Sequence, residues 1–483
     1  MAFELAANDV PISGTQSAAP DTDAKPGIAR LLRFASLGMP LAAVEAPLTT
    51  YVPPLYAAIF GFNLATIGAI FLIARLWDAV IDPAIGVLSD RTRGRWGRRR
   101  PWIAAGSVLF AIGAFGAFVP PKGAGAVTLS IALFTLYLGY SMIATPFAAW
   151  TGELSAQYHE RTRITTYAMV MTALALLLAL VLPSALAVRL ANQPATELAA
   201  MGAMVFVLLA ITLPLGLGAL PEPAPAKGPL PPLHLRETAG FVLREKLLLR
   251  VLASNGAVRL GQGIRTALFV FFVSSYMGRP ALAPALFLYQ YLFGILACPI
   301  WLMIGRRLGK ARAAVAGELI QMTINLSLLL VAPGAWPLLI ALTTAQGLAQ
   351  GSGNLMLRSI VADVADAHRL ETGHDRVGLF FSVFSLSDKA GLALAVGIAL
   401  PLVGALGFTP GHVNTAAALF HLKAVFALGP ALAHLVSAAV VKGFPLDETR
   451  HSEIRRALAA RDAAGLVSDA SHDRWLAQAD RDA

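Results

Sequence analysis

The stretch RLWDAVIDPAIGVLSDRTRGRWGRRRP, residues 75–101, carries three charged side chains inside an apolar run and then ends in a cluster of arginines. Arg75, Asp78 and Asp82 lie among Leu, Trp, Val and Ile, where an ionised group is costly unless it is paired. Asp78 and Asp82 are four residues apart, so on a helix they share one face. The run is either a soluble core strand broken by loops, or a membrane span whose charges have a function.

The composition of the whole chain decides between these alternatives. Of 483 residues, 57% are hydrophobic and only 14% are charged, with a mean hydropathy of +0.66. Soluble domains carry about 25% charged residues, and apolar runs of about 20 residues, long enough to cross a bilayer as helices, recur along this chain. The sequence therefore predicts an all-α membrane protein.

We predict twelve transmembrane helices, near 36–60, 64–89, 101–119, 126–150, 165–188, 198–219, 251–276, 281–304, 313–332, 336–359, 378–405 and 414–440. The expected units are a disordered cytoplasmic tail (1–33), a six-helix bundle (34–220), a cytoplasmic linker (221–247), a second six-helix bundle (248–441) and a cytoplasmic C-terminal tail (442–483). DRTRGRWGRRRP after the second span is echoed by GRRLGKARA after the eighth. Two pseudo-symmetric bundles around a central site are the usual architecture of secondary transporters, although any loop on this side would be basic.

The positions of the basic residues predict the orientation of the chain. Of the 38 Lys and Arg residues, 29 lie in the segments on the side of the two termini and three in the loops on the other side. The positive-inside rule then places both termini in the cytoplasm, in a multi-pass protein of the cytoplasmic (inner) membrane. The net charge of +10 follows from this topology, so we expect no nucleic acid partner.

The paired carboxylates of the second span predict an ion site. Charged groups inside spans face cavities and commonly carry ions or protons, and Asp78 and Asp82 suit either a monovalent cation or a shared proton. The structural alternative is a salt bridge with Arg75 or Lys389 that only locks helices together. At the cytoplasmic end, charged residues form a candidate gate or, alternatively, membrane anchors: Asp90, Arg91, Arg98, Glu153 and Arg161.

Polar stripes in the second half are candidates for a solute cavity. Asn255, Arg259, Gln262 and Arg265 follow helical spacing in span seven, and Gln350 and Asn354 do so in span ten. The arginines favour an anionic group on the solute, or else pair with Glu318 of span nine. The amides either bind a hydroxylated solute or connect neighbouring helices.

Four segments carry a resemblance to a known family. They are ARLWDAVIDPAIGVLSDRTRGRWGRRRPW (74–102), TPFAAWTGELSAQYHERTRITTY (145–167), ADVADAHRLETGHDRVGLFFSVFSLSDKAG (362–391) and FPLDETRHSEI (444–454). Together they resemble the glycoside–pentoside–hexuronide:cation symporters of the major facilitator superfamily, in particular its melibiose-permease-like members. The resemblance implies the major facilitator fold, with a coupling ion, Na⁺ or H⁺, bound by Asp78 and Asp82, and with Ser141 and Lys389 in the same site.

Departures from the family's pattern affect both the ion and the solute. Ile81 stands where an asparagine lies between the two aspartates, which favours a proton over Na⁺. Ala144 and the region of Ala42 replace sugar-binding acids, although Glu45 shares the helix face of Ala42 and is a substitute; Trp150 is a candidate to stack on a sugar ring. Family resemblance implies uptake of a sugar or glycoside; the alternative is an anionic or amphipathic solute, such as a sugar acid, an organic anion or a lysolipid.

Other functional classes are disfavoured by the distribution of chemistry-bearing residues. The histidines form no metal-spaced cluster with acids in one span, so we predict no enzyme, no cofactor and no metal other than a coupling Na⁺. A receptor that does not transport would have no need for both aspartates and Lys389. The expected partners are a small-molecule solute and the lipid bilayer, and the protein is expected to act as a monomer.

Overall fold

The computed structural model describes residues 26–154, 158–190, 193–222, 235–373 and 376–461. Within these ranges the chain is helical and contains no strand. The described ranges contain twelve long helices: α1 (Ile28–Phe60), α2 (Leu64–Arg91), α3 (Arg100–Phe118), α4 (Ala126–Glu153), α5 (Tyr158–Leu190), α6 (Pro194–Leu217), α7 (Lys246–Tyr276), α8 (Pro280–Leu308), α9 (Lys310–Leu330), α10 (Trp336–Thr372), α11 (Val377–Ala405) and α12 (Ala416–Val441). The predicted all-α membrane architecture is confirmed.

Among the helices that the structure describes, eleven are long and apolar enough to span a membrane. The remaining long helix, α10, has 37 residues, but Gln346, Gln350 and Asn354 make it more polar. It packs against α8 and α9 inside the second bundle, where its amides meet other polar side chains rather than lipid. Its polarity is therefore compatible with its place as the twelfth span.

Helix α2 has the polarity of a membrane helix, with charges inside and apolar side chains outside. Ile73 is 54% exposed and Val80 is 70% exposed, whereas Asp78 on the opposite face is fully buried. Phe71 and Ala74 line the same buried face. An apolar exterior around a polar interior is the arrangement that lipid requires.

Six helices make each half, and the two halves repeat one packing pattern. In the first half α4 packs against α2 and α3, and in the second half α10 packs against α8 and α9. Where the halves meet, α1 contacts α7, and two further helix pairs pack together, α2 with α11 and α5 with α8. Since α2 and α5 of the first half correspond to α8 and α11 of the second, these pairs are equivalent, as pseudo-symmetric bundles require.

Glycines allow close contact between helices at both kinds of interface. A Cβ atom at Gly113 of α3 would lie 2.2 Å from the backbone nitrogen of Leu136 in α4. Between the halves, a Cβ atom at Gly68 of α2 would lie 2.7 Å from Cδ of Pro401 in α11. Small residues of this kind let membrane helices approach closely. They bring α2 near enough to α11 for the two halves to share side-chain contacts.

Several expected boundaries differ from the structure. Helix α1 begins at Ile28 rather than near residue 36, because Leu31 and Phe34 are buried in the first bundle; residues 28–33 therefore do not belong to the tail expected over 1–33. Helix α10 continues beyond residue 359 to Thr372. The linker expected over 221–247 contains a short helix, Leu235–Arg244, and the start of α7. Within the C-terminal tail, residues 448–461 are helical and Ile454 packs near Ala367 of α10.

Candidate cation and solute site

Asp78 and Asp82 lie on the face of α2 that meets α11. Asp78 is fully buried and the side chain of Asp82 is 29% exposed. Lys389 of α11 reaches between them: its Nζ lies 2.8 Å from Oδ2 of Asp78 and contacts Oδ2 of Asp82. One ammonium group therefore bridges both carboxylates and joins the two halves of the molecule.

Helix α4 adds hydroxyl groups to the same carboxylates. Ser141 Oγ donates to Oδ1 of Asp78 at 2.8 Å, and Thr145 Oγ1 lies 3.5 Å from Oδ1 of Asp82. Thr145 was not among the predicted site residues, although its spacing from Ser141 matches that of the two aspartates. Ile81 is buried and brings no oxygen atom to the site.

Arg75 belongs to a different ion pair from the one expected. Its Nη2 donates to Oε1 of Glu45 in α1 at 2.6 Å, and its guanidinium carbon lies 4.8 Å from the centre of the Tyr137 ring. Of the two residues considered for a salt bridge with the aspartates, Arg75 and Lys389, only Lys389 contacts them. Glu45 is 38% exposed, so one face of this carboxylate stays accessible.

Asp388, the residue before Lys389, accepts hydrogen bonds from two polar side chains of α7. Asp388 Oδ1 accepts from Arg259 Nε at 2.6 Å and from Asn255 Nδ2 at 2.9 Å. The alternative that Arg259 pairs with Glu318 is therefore wrong, and Asp388 is the acid that sequence reasoning missed. The expected partner, Glu318, instead contacts His434 Nδ1 of α12 at 2.6 Å.

The other candidates of the second half lie in two hydrogen-bonded groups. Gln262 Oε1 is within 3.4 Å of Arg259 Nη1 and 3.5 Å of Asn354 Nδ2. Gln350 accepts from Gln290 of α8 at 2.9 Å. Gln290 in turn accepts from Arg265 Nη2 at 3.3 Å. The spacing in spans seven and ten therefore does mark side chains with polar partners on neighbouring helices.

Trp150 does not lie where a solute could stack on it. Its ring is fully buried in the first bundle, where Phe34 meets it edge-on at 5.0 Å and the Arg100 guanidinium lies 5.5 Å from its centre. Because α1 begins before residue 36, Phe34 covers this ring. Trp150 is therefore a packing residue.

The candidate gate residues form an ion cluster within the first half. Arg99 Nη2 contacts Asp90 Oδ1 at 2.9 Å and Glu153 Oε1 at 2.6 Å, while Arg98 Nη2 contacts Glu153 Oε2 at 2.6 Å. The backbone N–H groups of Arg98 and Arg99 donate to Glu222 Oε1. In the described part of the chain, no ion pair of this cluster reaches the second half, so it connects helix ends rather than the two halves.

Two gate candidates take no part in that cluster. Arg91 is exposed and forms no ion pair with a described residue. The side chain of Arg161 lies outside the described residues. Arg99 lies in the cluster but was not among the predicted gate residues, because the sequence alone does not distinguish one arginine of a basic loop from another. The second half has a counterpart of the cluster, in which Lys310 contacts Asp363 at 2.7 Å.

Comparison with known proteins identifies the family. The model of the family described as MFS/sugar transport protein matches residues 33–448. The chain belongs to this family. The resemblance to the glycoside–pentoside–hexuronide:cation symporters is thereby confirmed, and so are the major facilitator fold and the expectation that the protein is a transporter and not an enzyme.

Relatives in this family and one structural neighbour cover most of the chain. An uncharacterized symporter from Synechocystis is 26% identical, over 83% of this chain and 91% of its own length. The isoprimeverose transporter of Lactiplantibacillus pentosus is 23% identical, over 83% of this chain and 85% of its own length. The structure of the nucleoside transporter NupG superposes with a TM-score of 0.65 at 12% identity, over 86% of this chain and all of that one; this likeness concerns the fold alone.

In a member of the MFS/sugar transport protein family, the polar side chains that meet between α2, α4 and α11 form a candidate ion site. Two carboxylates and two hydroxyls converge from the first half, and one ammonium group arrives from the second. Oxygen groups of this kind are ligands for a small cation or acceptors for a proton. The arrangement can therefore exchange one positive charge for another at the contact between the halves.

Proposed function

We propose that the protein is a symporter that couples a cation gradient, Na⁺ or H⁺, to the uptake of a sugar- or glycoside-type solute by alternating access. The observation that carries this proposal is the position of Lys389 between Asp78 and Asp82. A coupling cation needs the same carboxylate oxygens that the ammonium group contacts. Cation and Lys389 therefore compete for one site.

This competition connects ion binding with the interface between the halves. With Lys389 on the aspartates, α11 is tied to α2 by two ion pairs, one of them to the fully buried Asp78. A cation held by these carboxylates and by the hydroxyls of Ser141 and Thr145 releases Lys389. The released ammonium group then serves as a donor to the hydroxyl groups of the solute, so that cation and solute bind together.

Both coupling ions are compatible with the oxygen atoms available. A proton needs one carboxylate oxygen, and Asp82 is the more accessible of the two acids. Na⁺ needs several oxygens, which Asp78, Asp82, Ser141 and Thr145 supply without help from Ile81. Transport driven by one imposed gradient at a time distinguishes the two ions.

The proposal also includes a sugar-type solute, both termini in the cytoplasm and a functional monomer. A relative named as an isoprimeverose transporter favours a sugar-type solute, and the amides Gln262 of α7 and Gln350 and Asn354 of α10 are candidate hydrogen-bonding groups for its hydroxyls. The basic residues on the side of the termini favour a protein of the cytoplasmic membrane with both ends inside. We expect a monomer to suffice, because each group of the ion site comes from one chain.

The test is uptake of radiolabelled sugars and glycosides into proteoliposomes that hold the purified protein. A Na⁺ gradient, a proton gradient and no gradient are compared for each solute, with protein-free vesicles as the control. We expect accumulation above the external concentration with one of the two gradients. Equal, purely equilibrating uptake under all three conditions would contradict cation coupling, and absence of uptake for every solute would contradict sugar transport.

A further inference from the structure

Helices α9 and α12 hold a buried acid and a buried histidine that the coupling mechanism does not use. Glu318 Oε2 lies 2.6 Å from His434 Nδ1, and both side chains are 1% exposed. The pair joins two helices of the second half, whereas Asp78 and Asp82 belong to α2 of the first half. Ionisable side chains inside membrane spans are rare and mark ion or proton pathways, so this pair is a candidate proton site of its own.

Neighbouring helices close around the pair. A Cβ atom at Gly353 of α10 would lie 2.1 Å from Glu318 Oε1, and one at Gly261 of α7 would lie 3.4 Å from His434 Nε2. These glycines let the backbones of α10 and α7 approach both side chains and keep them from water. A net charge is costly in such a place. The carboxylate of Glu318 therefore needs a cation, either a protonated His434 or another group.

Arg265 of α7 is the other cation available to Glu318. It is 4% exposed and forms no ion pair with a residue that the structure describes. Its Nη1 donates to Asn325 Oδ1 at 3.1 Å. Asn325 Nδ2 donates in turn to Gln346 Oε1 at 3.3 Å, and Gln346 Nε2 donates to Gln321 Oε1 at 3.1 Å. Gln321 Nε2 lies 3.4 Å from Glu318 Oε1, so three amides connect the two charges.

Every amide of this chain directs its donor toward Glu318. A guanidinium has only donors, so Arg265 fixes the oxygen of Asn325 toward α7 and its nitrogen toward Gln346, and the following amides repeat that direction. Hydrogen bonds aligned in this way strengthen one another and favour a negative charge at their accepting end. Glu318 is therefore an acceptor for the chain on one oxygen and for His434 on the other.

The other charged side chains in the middle of the neighbouring helices have partners of their own. Arg259 of α7 contacts Asp388 of α11, and Lys389 of α11 contacts the aspartates of α2. Lys423 of α12 donates to backbone carbonyls at the end of α9, and Arg358 of α10 lies 5.8 Å from an aromatic ring of α11. Helix α8 carries charged side chains only in its last turn. Among the described residues, the charge of Glu318 is thus left to His434 and Arg265.

A second branch leads from Arg265 to a predicted contact of the solute. Arg265 Nη2 donates to Gln290 Oε1 at 3.3 Å, and Gln290 Nε2 donates to Gln350 Oε1 at 2.9 Å. Gln350 is one of the predicted residues of the solute cavity. The charge balance at one end of the amide chain is therefore connected with a candidate solute-binding amide at the other.

We propose that Glu318 and His434 form a proton-binding site in the second half, separate from Asp78 and Asp82, and that the proton on this site speeds solute exchange. The effect on the solute rests on the function proposed above, whereas the proton site does not. With the proton, His434 is an imidazolium and balances Glu318 locally. Without it, Arg265 balances Glu318 through the amides and holds the chain in place. Proton binding thus releases amides for the hydroxyl groups of the solute.

Nitrogen NMR of the histidine side chains tests the proton site. The full chain, with isotopically labelled histidine, is studied in lipid nanodiscs, and the signal of His434 is the one missing from His434→Gln. Imidazole and imidazolium give distinct nitrogen signals. We expect the wild-type signal to change from imidazolium to imidazole as the pH is raised. In Glu318→Gln it should stay in the neutral form, because a buried imidazolium without a carboxylate is unfavourable.

Two further variants separate the proton from packing. Gln346→Met interrupts the chain to Arg265 but keeps the pair, so His434 should hold its proton to a higher pH; this variant also tests the site if Glu318→Gln does not fold. Ser437→Ala is the matched control. Ser437 is a buried residue of α12 that shares a 2.7 Å hydrogen bond with Ser254 of α7, and its loss should leave the His434 signal unchanged.

Solute exchange at equal concentrations on both sides is the second measurement, made in proteoliposomes over the same range of pH. We expect wild type to exchange faster on the acidic side of the His434 transition. This step should be lost in Glu318→Gln and displaced to higher pH in Gln346→Met, and Ser437→Ala should keep the wild-type profile.

The two measurements fail in different ways. A wild-type His434 signal that keeps one form wherever the protein is folded, or that changes alike in Glu318→Gln, would overturn the proton site. An exchange profile that Glu318→Gln leaves unchanged would overturn the link to the solute. If no sugar or glycoside exchanges in any variant, the proposed function fails, and the NMR transition still decides whether Glu318 and His434 bind a proton.

Discussion

Substitution of Lys389 by glutamine should increase the affinity of the protein for its coupling cation. Removing one partner of a fully buried ion pair costs about 3–5 kcal/mol. The side chains of Lys389 and Asp82 are 21% and 29% exposed, so solvent screens part of their interaction. We therefore expect the loss of Lys389 to destabilise the cation-free site by about 2 kcal/mol, less than the loss of a partner from a fully buried pair. In Lys389→Gln the carboxylates of Asp78 and Asp82 have lost their counter-charge, and the bound cation replaces it without competition from an ammonium group. Since 1.4 kcal/mol is a factor of ten, the cation should bind about thirtyfold more tightly.

Thermal unfolding in lipid nanodiscs measures this change. The protein is titrated with NaCl against choline chloride at constant ionic strength, and separately with pH, and the midpoint of stabilisation is compared between variants. Lys423→Gln is the control, because Lys423 is also buried but donates to the carbonyls of Leu329 and Val331 and should leave the midpoint unchanged. If Lys389→Gln and wild type titrate alike with both ions, Lys389 does not compete with the cation and the coupling mechanism is wrong.

Two further substitutions have expected outcomes. Gly113→Ala places a methyl group 2.2 Å from the backbone nitrogen of Leu136, so we expect loss of monodisperse protein in size-exclusion chromatography. The control is Gly378→Ala, whose methyl group meets no atom within 4 Å and which should behave as wild type. Ser141→Ala removes the hydroxyl that donates to Asp78 at 2.8 Å. If the coupling ion is Na⁺, loss of this oxygen ligand should raise the Na⁺ concentration for half-maximal uptake about tenfold, from the contribution of about 1.5–3 kcal/mol of a hydrogen bond to a charged group. If it is H⁺, the proton concentration for half-maximal uptake should fall, because the lost hydrogen bond favoured the charged carboxylate; an unchanged value would exclude this hydroxyl from the ion site.

The grouping of side chains at the proposed ion site was the part of the molecule most open to prediction from the sequence. Few charged residues lie in apolar spans, each must find a partner, and the four-residue spacing of Asp78 and Asp82 places them on one helix face. Lys389 lies in an apolar span and needs a carboxylate partner, and the family resemblance implied that it shares the site of the two aspartates. These constraints are local or chemical, and they hold whatever the relative positions of the helices.

The pairings that the sequence did not reveal depend on the depth at which helices cross. Arg75 meets Glu45 rather than the aspartates, and Arg259 meets Asp388 rather than Glu318, because α1 and α11 bring those acids to the right level. Spacing along one helix carries no information about the height of its neighbours. For the same reason periodicity did not separate Trp150, which is packed inside one bundle, from a side chain that faces the interior between the bundles.

The most direct test of the account replaces one acid of the ion site and separates coupling from solute movement. Asp82→Asn is compared with wild type and with Glu371→Gln, which changes an exposed acid near the end of α10, in gradient-driven uptake and in solute exchange at equal concentrations on both sides. We predict that Asp82→Asn loses accumulation driven by the cation gradient while exchange persists, and that Glu371→Gln keeps both activities. Gradient-driven accumulation by Asp82→Asn at the wild-type level would contradict the assignment of Asp78, Asp82 and Lys389 as the coupling site.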